Sequence, residues 1–156
     1  LDVGASTGGF TQVLLSRWAK KVVAVDVGTS QLHESLRNDA RVISRENCDI
    51  RTAQFDEIFD LIVVDVSFIS LRKIVPSLQK IATANTQIIL LFKPQFEVGK
   101  EHLRKTWVPR DEKIIKRALD DFCEFLRESK LCILDIREST LPGEAGNREW
   151  LIYFKP

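Results

Sequence analysis

Apolar residues follow two alternating patterns along this chain. Short, nearly continuous runs occur at 21–27, 59–66 and 87–92, and a strand-like end stands at 1–3. Runs of this length read as strands buried on both faces, clearest through Leu61, Ile62, Val63 and Val64. Shorter strand-like segments fall at 41–44, 131–136 and 149–154. Between the strands, apolar residues return every three or four positions, the helical period. Residues 10–19 place Phe10, Val13, Leu14 and Trp18 on one face. Residues 30–38 predict a short helix with Ser30 in the N-cap position. Ser70 is expected to cap a helix that runs to 82, with Leu71, Ile74, Val75, Leu78 and Ile81 as its stripe. Residues 110–129 predict a long amphipathic helix buried through Ile114, Ile115, Ala118, Leu119, Phe122 and Leu126.

This alternation is the signature of an α/β fold with a doubly wound parallel sheet and helices on both faces. The end of the chain departs from it. Only 137–148 separates the last two strands, and Pro142, Gly143 and Gly146 interrupt it. A parallel crossover takes a dozen or more residues and usually a helix, so this pair is expected to be antiparallel. A mostly parallel seven-stranded sheet with an antiparallel last strand is the pattern of Rossmann-like, class I methyltransferases. Dinucleotide-binding domains have six parallel strands. No repeat, low-complexity tract or linker divides residues 1–156.

Composition narrows the function classes. Lys and Arg number 23 against 22 Asp and Glu, a net charge of +1. That excludes a uniformly basic nucleic-acid coat and leaves room for a local basic patch. No apolar run approaches the roughly 20 residues of a membrane helix, and the start of the chain has no signal-peptide pattern. Cys48, Cys123 and Cys132 lack CxxC spacing. They argue for reduced thiols in a cytoplasmic protein rather than a disulfide framework or zinc site. No His, Cys and carboxylate cluster has metal-ligand spacing. Met is absent, and residue 1 already lies in a strand-like stretch. The chain is therefore expected to be a fragment with further sequence upstream.

Asp2, Gly4, Ala5, Ser6, Thr7, Gly8, Gly9 and Phe10 form a Gly-rich turn between a strand and a helix. Glycines there let the backbone approach a ligand, and a helix N-terminus offers amide donors. Asp26 ends the next strand, where an acid bonds ribose hydroxyls. The spacing is not GxGxxG, so the dinucleotide fingerprint is not met. Strand, turn, helix, strand and terminal acid together favour nucleoside binding over a plain tight connection. Asp49 follows the third strand, where it suits either an adenine contact or an exposed loop.

Four segments occur in order: Asp2 to Phe10, Val64-Asp65-Val66-Ser67-Phe68-Ile69-Ser70-Leu71, Lys93-Pro94-Gln95-Phe96-Glu97 and Gly146-Asn147-Arg148-Glu149. Together they resemble the TlyA family, whose methyltransferase domain belongs to the FtsJ-like group. The resemblance spans nearly the whole chain. It implies S-adenosylmethionine-dependent 2′-O-methylation of cytidine riboses in ribosomal RNA. It also implies a Lys-Asp-Lys-Glu tetrad, of which Asp65, Lys93 and Glu149 match the last three members. The first Lys and an S4-like RNA-binding domain would both lie upstream of Leu1. Several members carry a hemolysin label, which the short apolar runs here support little. A non-catalytic RNA- or nucleoside-binding module, including a hemolysin-type protein that kept the fold, is the competing reading. A small-molecule methyltransferase is a third.

A ribose hydroxyl is a poor nucleophile at neutral pH and needs a base or a strong hydrogen-bond partner. Lys93 can act as a base if its pKa falls, or as a charged donor to the developing alkoxide. Sequence leaves both roles open. Asp65 would orient Lys93 and suit the positive sulfonium of the methyl donor, and no metal is required. Charge also concentrates beside this site. Residues 93–117 hold eight Lys or Arg against four acids, a net charge of +4, whereas 118–156 is net −3. The basic stretch suits RNA phosphates, with Trp107 or Phe96 for base stacking, as well as it suits a solvated loop pinned by Trp107. His33 and His102 read as surface residues, and Trp18 and Trp150 as packing residues.

Overall fold

A computed structural model describes residues 1–156, apart from the side chain of Glu144. The apolar runs become the strands β1 Asp2–Val3, β2 Val22–Val25, β3 Val42–Arg45, β4 Leu61–Val64 and β5 Gln87–Phe92. All five pair in parallel. Two more strands follow, β6 Cys132–Glu138 and β7 Trp150–Lys155. The order across the seven-stranded sheet is β3-β2-β1-β4-β5-β7-β6. β7 is antiparallel to both β5 and β6, so it alone runs against the rest. The short break at 139–149 explains this, because it can only fold the chain back beside β6.

Four helices cover the sheet: α1 Gly9–Ser16, α2 Glu34–Arg37, α3 Val75–Ile81 and α4 Glu112–Glu128. The main core joins Val3, Ile62, Val64, Ile88, Leu90, Phe92, Ile152 and Phe154 of the sheet to Leu78, Phe122 and Leu126 of α3 and α4. Phe92 is fully buried between Phe122 and Trp150, with ring centroids 5.3 and 6.5 Å away. The opposite face carries a smaller cluster around Ala5, Ala24 and Leu32. Trp150 is a packing residue, as expected.

Three sequence expectations need correction. First, α1 stops at Ser16 and buries Thr11 and Leu15. Val13 is 54% exposed and Trp18 is 86% exposed, so neither belongs to the core. Trp18 lies beyond the helix with φ 65°, and a left-handed residue breaks the period that would have turned it inward. Second, Ser30 does not cap a helix. It also has a positive φ, 54°, and its N–H donates to Glu46 Oε2 at 2.7 Å. α2 is a single turn instead, and its cap is the exposed His33, whose ring accepts from the Ser35 N–H. Third, the helix expected from 70 to 82 is divided. Ser70 does cap its start, accepting from the Arg72 N–H, but a tight turn at Leu71–Lys73 precedes α3. Pro76 lies in the first turn of α3, where its missing N–H costs nothing.

Candidate active site

Strand order reverses between β1 and β4, and the crevice beyond the strand ends opens at that point. A cavity of about 470 Å³ lies there, lined among others by Gly4, Ser6, Asp26, Asp49, Asp65 and Phe68. The Gly-rich turn makes the crevice possible. Gly4 has φ +78°, and a Cβ on it would stand 2.1 Å from the carbonyl oxygen of Asp65. Only glycine lets β1 end this close to β4. The N–H groups of Gly4 and Ala5 both donate to the Val25 carbonyl, at 2.8 and 3.1 Å. Gly8, at φ +102°, lets α1 start against Leu36 of α2.

The acids around the crevice are held in different ways. Asp26 accepts from the Ser6 N–H at 2.8 Å and the Gly28 N–H at 2.7 Å, so backbone donors fix its carboxylate on the wall. Asp49 is paired in a fork with Arg51, which holds its carboxyl below the usual range. Asp2 is fully buried and accepts from Thr11 Oγ1 at 2.6 Å. Burial pushes its carboxyl up. Asp2 lies under the turn and fastens it to α1, outside the cavity wall, and Ala5, Thr7, Gly8, Gly9 and Phe10 also stand outside that wall. The cavity wall therefore gathers Gly4, Ser6, Asp26, Asp49 and Asp65, whereas the other residues of the turn, like Lys93 and Glu149, are not on it.

Asp65 follows β4 and Lys93 follows β5, on neighbouring strands. Lys93 Nζ stands 2.5 Å from Asp65 Oδ1, an ion pair lying off the hydrogen-bonding directions of that oxygen. Lys93 also donates to Ser67 Oγ at 3.2 Å. Glu149 immediately precedes β7, is 7% exposed, and accepts from Gln95 Nε2 at 3.2 Å. Burial pushes the Glu149 carboxyl up, the Gln95 bond and the Lys93 charge oppose the shift, and the Asp65 charge adds to it. Three residues far apart in sequence thus share one electrostatic site, and Glu149 does not face solvent. Among the described residues, no group of three or more His, Cys, Asp or Glu is arranged to hold a metal.

An aromatic cluster stands at the rim. Phe68 is 81% exposed, and its ring lies 5.1 Å from Phe96 and 6.3 Å from Trp107. Phe68 and Trp107 both have positive φ, near 62° and 61°. A second groove runs beside the first, lined by these aromatics with Arg51, Lys73 and Lys100. The basic stretch 93–117 does not act as one patch. Arg110 donates to the Leu103 carbonyl, and Lys116 and Arg117 pair with Asp120 and Asp121 on α4. Arg51 and Lys73 come to the groove from elsewhere in the chain, and sequence reasoning missed them. It also missed Phe68 as a rim residue and Gln95 as the partner of Glu149, although both lie inside the quoted motifs.

The FtsJ-like methyltransferase family model matches residues 1–156. The 23S rRNA (cytidine-2′-O)-methyltransferase TlyA of Campylobacter jejuni is 44% identical over 155 residues, covering 99% of this chain and 60% of that protein. The 16S/23S rRNA (cytidine-2′-O)-methyltransferase TlyA of Mycobacterium tuberculosis is 42% identical over 158 residues, covering 99% and 59%. A solved Streptococcus thermophilus protein with the provisional name hemolysin superposes with a TM-score of 0.93 at 40% identity, over 99% of this chain and 57% of that one. The chain thus spans about three fifths of the length of these curated relatives. No helix among the described residues is long and apolar enough to cross a membrane. The family match runs through the Gly-rich turn, the Asp65 and Lys93 strand ends and the Glu149 segment alike, and the chain belongs to the FtsJ-like methyltransferase family.

Proposed function

We propose that this protein uses S-adenosylmethionine to methylate the 2′-hydroxyl of a cytidine ribose in ribosomal RNA, acting in the cytoplasm. The observation that carries the reading is Lys93 paired with Asp65 of the crevice wall, within the field of Glu149. The names of the relatives support the substrate class.

The crevice fits the donor. Gly4 lets the end of β1 pack against the Asp65 backbone and so shapes the wall, Asp26 offers a carboxylate to ribose hydroxyls, and Asp49 stands beside Cys48 and Ile50 on the wall for the adenine end. Asp65 supplies negative charge where a sulfonium would lie. When bound, the donor supplies an activated methyl on a good leaving group. The protein's own residues prepare the acceptor oxygen. Once the hydroxyl proton has passed to solvent, Lys93, held by Asp65, donates to the alkoxide oxygen and stabilises its charge until it takes the methyl. Asp65 and Ser67 hold Lys93 in place. Glu149, fixed by Gln95, closes the other side. Phe68, Phe96 and Trp107 offer ring faces for a base, and Arg51, Lys73 and Lys100 offer charge for phosphates.

Calorimetric titration with S-adenosylhomocysteine should show binding, and NADH as the control should show none. In the full-length protein, Lys93→Ala should lower methyl transfer to ribosomal subunits by about 10²–10⁴-fold, the range for a positioned proton-transfer or oxyanion group. Unchanged transfer would refute the role of Lys93.

A further inference from the structure

Asp65 and Lys93 lie beyond the ends of their strands, where no ladder hydrogen bond ties one backbone to the other. Asp65 is tied to β1, its N–H donating to the Val3 carbonyl at 2.8 Å, and Phe92 pairs with Trp150 just before Lys93; beyond these points the two loops that follow set how the Lys93 side meets the Asp65 side. The loop after β5 is a compact unit. The Phe96 N–H donates to the Lys93 carbonyl, and the Glu97 and Val98 N–H groups donate to the Pro94 carbonyl, each at 3.0 Å. Lys93 and Glu97 are therefore the two ends of one stiff turn. Lys93 reaches the start of the loop after β4 through Asp65 and Ser67. Glu97 reaches the far end of that loop, accepting from Ser70 Oγ and from the Leu71 N–H, each at 2.7 Å. Between these two attachments lies the Phe68 and Phe96 ring contact.

We propose that Glu97 is a positioning residue for methyl transfer, which holds the Lys93 loop in register with the loop that carries Asp65 and Phe68. One attachment alone would leave the two loops free to pivot about the Lys93 contact. The second removes that freedom. Ser70 Oγ accepts from the Arg72 N–H, and Glu97 supplies the separate acceptor for the Leu71 N–H, so the turn at Leu71–Lys73 is itself held to the Lys93 loop. Burial also pushes the Glu97 carboxyl up, with the Leu71 and Ser70 bonds and Arg72 opposing, so the ionised form is held at a cost. Glu97 is not on the wall of the cofactor crevice, and its effect is exerted through Lys93 and Phe68. The inference rests on the methyltransferase reading above.

The test uses the full-length protein with S-adenosylmethionine and ribosomal subunits. Glu97→Ala removes both acceptors. It should lower kcat by about 10²-fold, the effect of a misplacement near 1 Å. Affinity for S-adenosylhomocysteine should change less than about twofold, since the crevice wall is intact. Glu97→Gln should recover most of kcat, because its carbonyl can accept from Leu71 N–H while its amide donates to Ser70 Oγ. A merely structural role would lower stability without this split and without the rescue. If Glu97→Ala does not fold, Glu97→Asp takes its place. It keeps the charge but is one methylene too short to span both partners, and it should show the same fall in kcat. Wild-type kcat in a folded Ala or Asp variant overturns the proposal. A wild-type protein that binds S-adenosylhomocysteine yet methylates no ribosomal RNA overturns the functional reading, and the positioning role falls with it.

Discussion

Replacing Gly4 by alanine tests whether the crevice depends on the close approach of β1 to β4. The new Cβ would stand 2.1 Å from the Asp65 carbonyl oxygen and 3.1 Å from Val66 Cγ1, at a φ of +78°. A left-handed non-glycine residue costs about 1–2 kcal/mol. Forcing a methyl group into a filled site costs about 1–3 kcal/mol more. The sum is a loss of about 2–5 kcal/mol, or about 4–20 °C in Tm for a chain of this size. The obstacle is backbone, so it cannot rotate away, and the relief must come from moving Asp65. Binding of S-adenosylhomocysteine should therefore weaken by about tenfold or more, which is ~1.4 kcal/mol. Gly9→Ala is the internal control. No atom lies within 4 Å of its Cβ position, and an alanine there should be neutral or stabilising by about 0.4–1 kcal/mol. Urea denaturation gives both stabilities and calorimetry gives both affinities. A Gly4→Ala variant within about 1 kcal/mol of wild type, with undiminished binding, would refute the close-approach argument.

The other predictions concern the core, the buried acid and the surface. Phe92→Ala should cost about 3–5 kcal/mol in urea denaturation, because the ring is fully buried between Phe122 and Trp150. The Glu149 carboxyl is pushed above its ordinary 4.5, chiefly by burial. Its protonated form therefore favours the folded state, and that contribution is complete below the ordinary pKa and fades as pH rises through the raised one. Glu149→Gln should gain stability relative to wild type over that rise while losing methyl transfer; parallel denaturation and activity profiles against pH check both, and a constant stability difference would count against the buried acid. Trp18→Ser should change stability by no more than about 0.5 kcal/mol, since the side chain is 86% exposed. A loss above about 1 kcal/mol would restore Trp18 as a packing residue.

Much of the site was legible because its residues occupy strand ends. Asp26, Asp65 and Lys93 each follow an apolar run, and in a parallel sheet such positions converge on one crevice. Glu149 was harder. Its alternation with Leu151 and Tyr153 fits either a solvent edge or a buried position, and only the neighbouring Gln95 decides. The support around the site was not readable. Glu97 bonds Ser70 and Leu71 across 27 and 26 residues, and no local period encodes such a contact. The same holds for Arg51 and Lys73, which join the aromatic rim from other parts of the chain.

Local pattern determined the elements of this protein, because the side-chain period of a buried strand or an amphipathic helix is set by backbone geometry within a few residues. The alternation of strands and helices, the antiparallel last pair and the Gly-rich turn all follow from that. The tertiary structure decided what depends on pairing and on loop conformation. It inserted β7 between β5 and β6. It cut α2 to one turn behind a left-handed Ser30, and turned Trp18 into solvent. It also buried Asp2 against Thr11, off the crevice wall. The strand insertion rests on pairing between residues distant in sequence, and the others on loop conformations and burial fixed only in the assembled fold, which outweigh the local hydrophobic period.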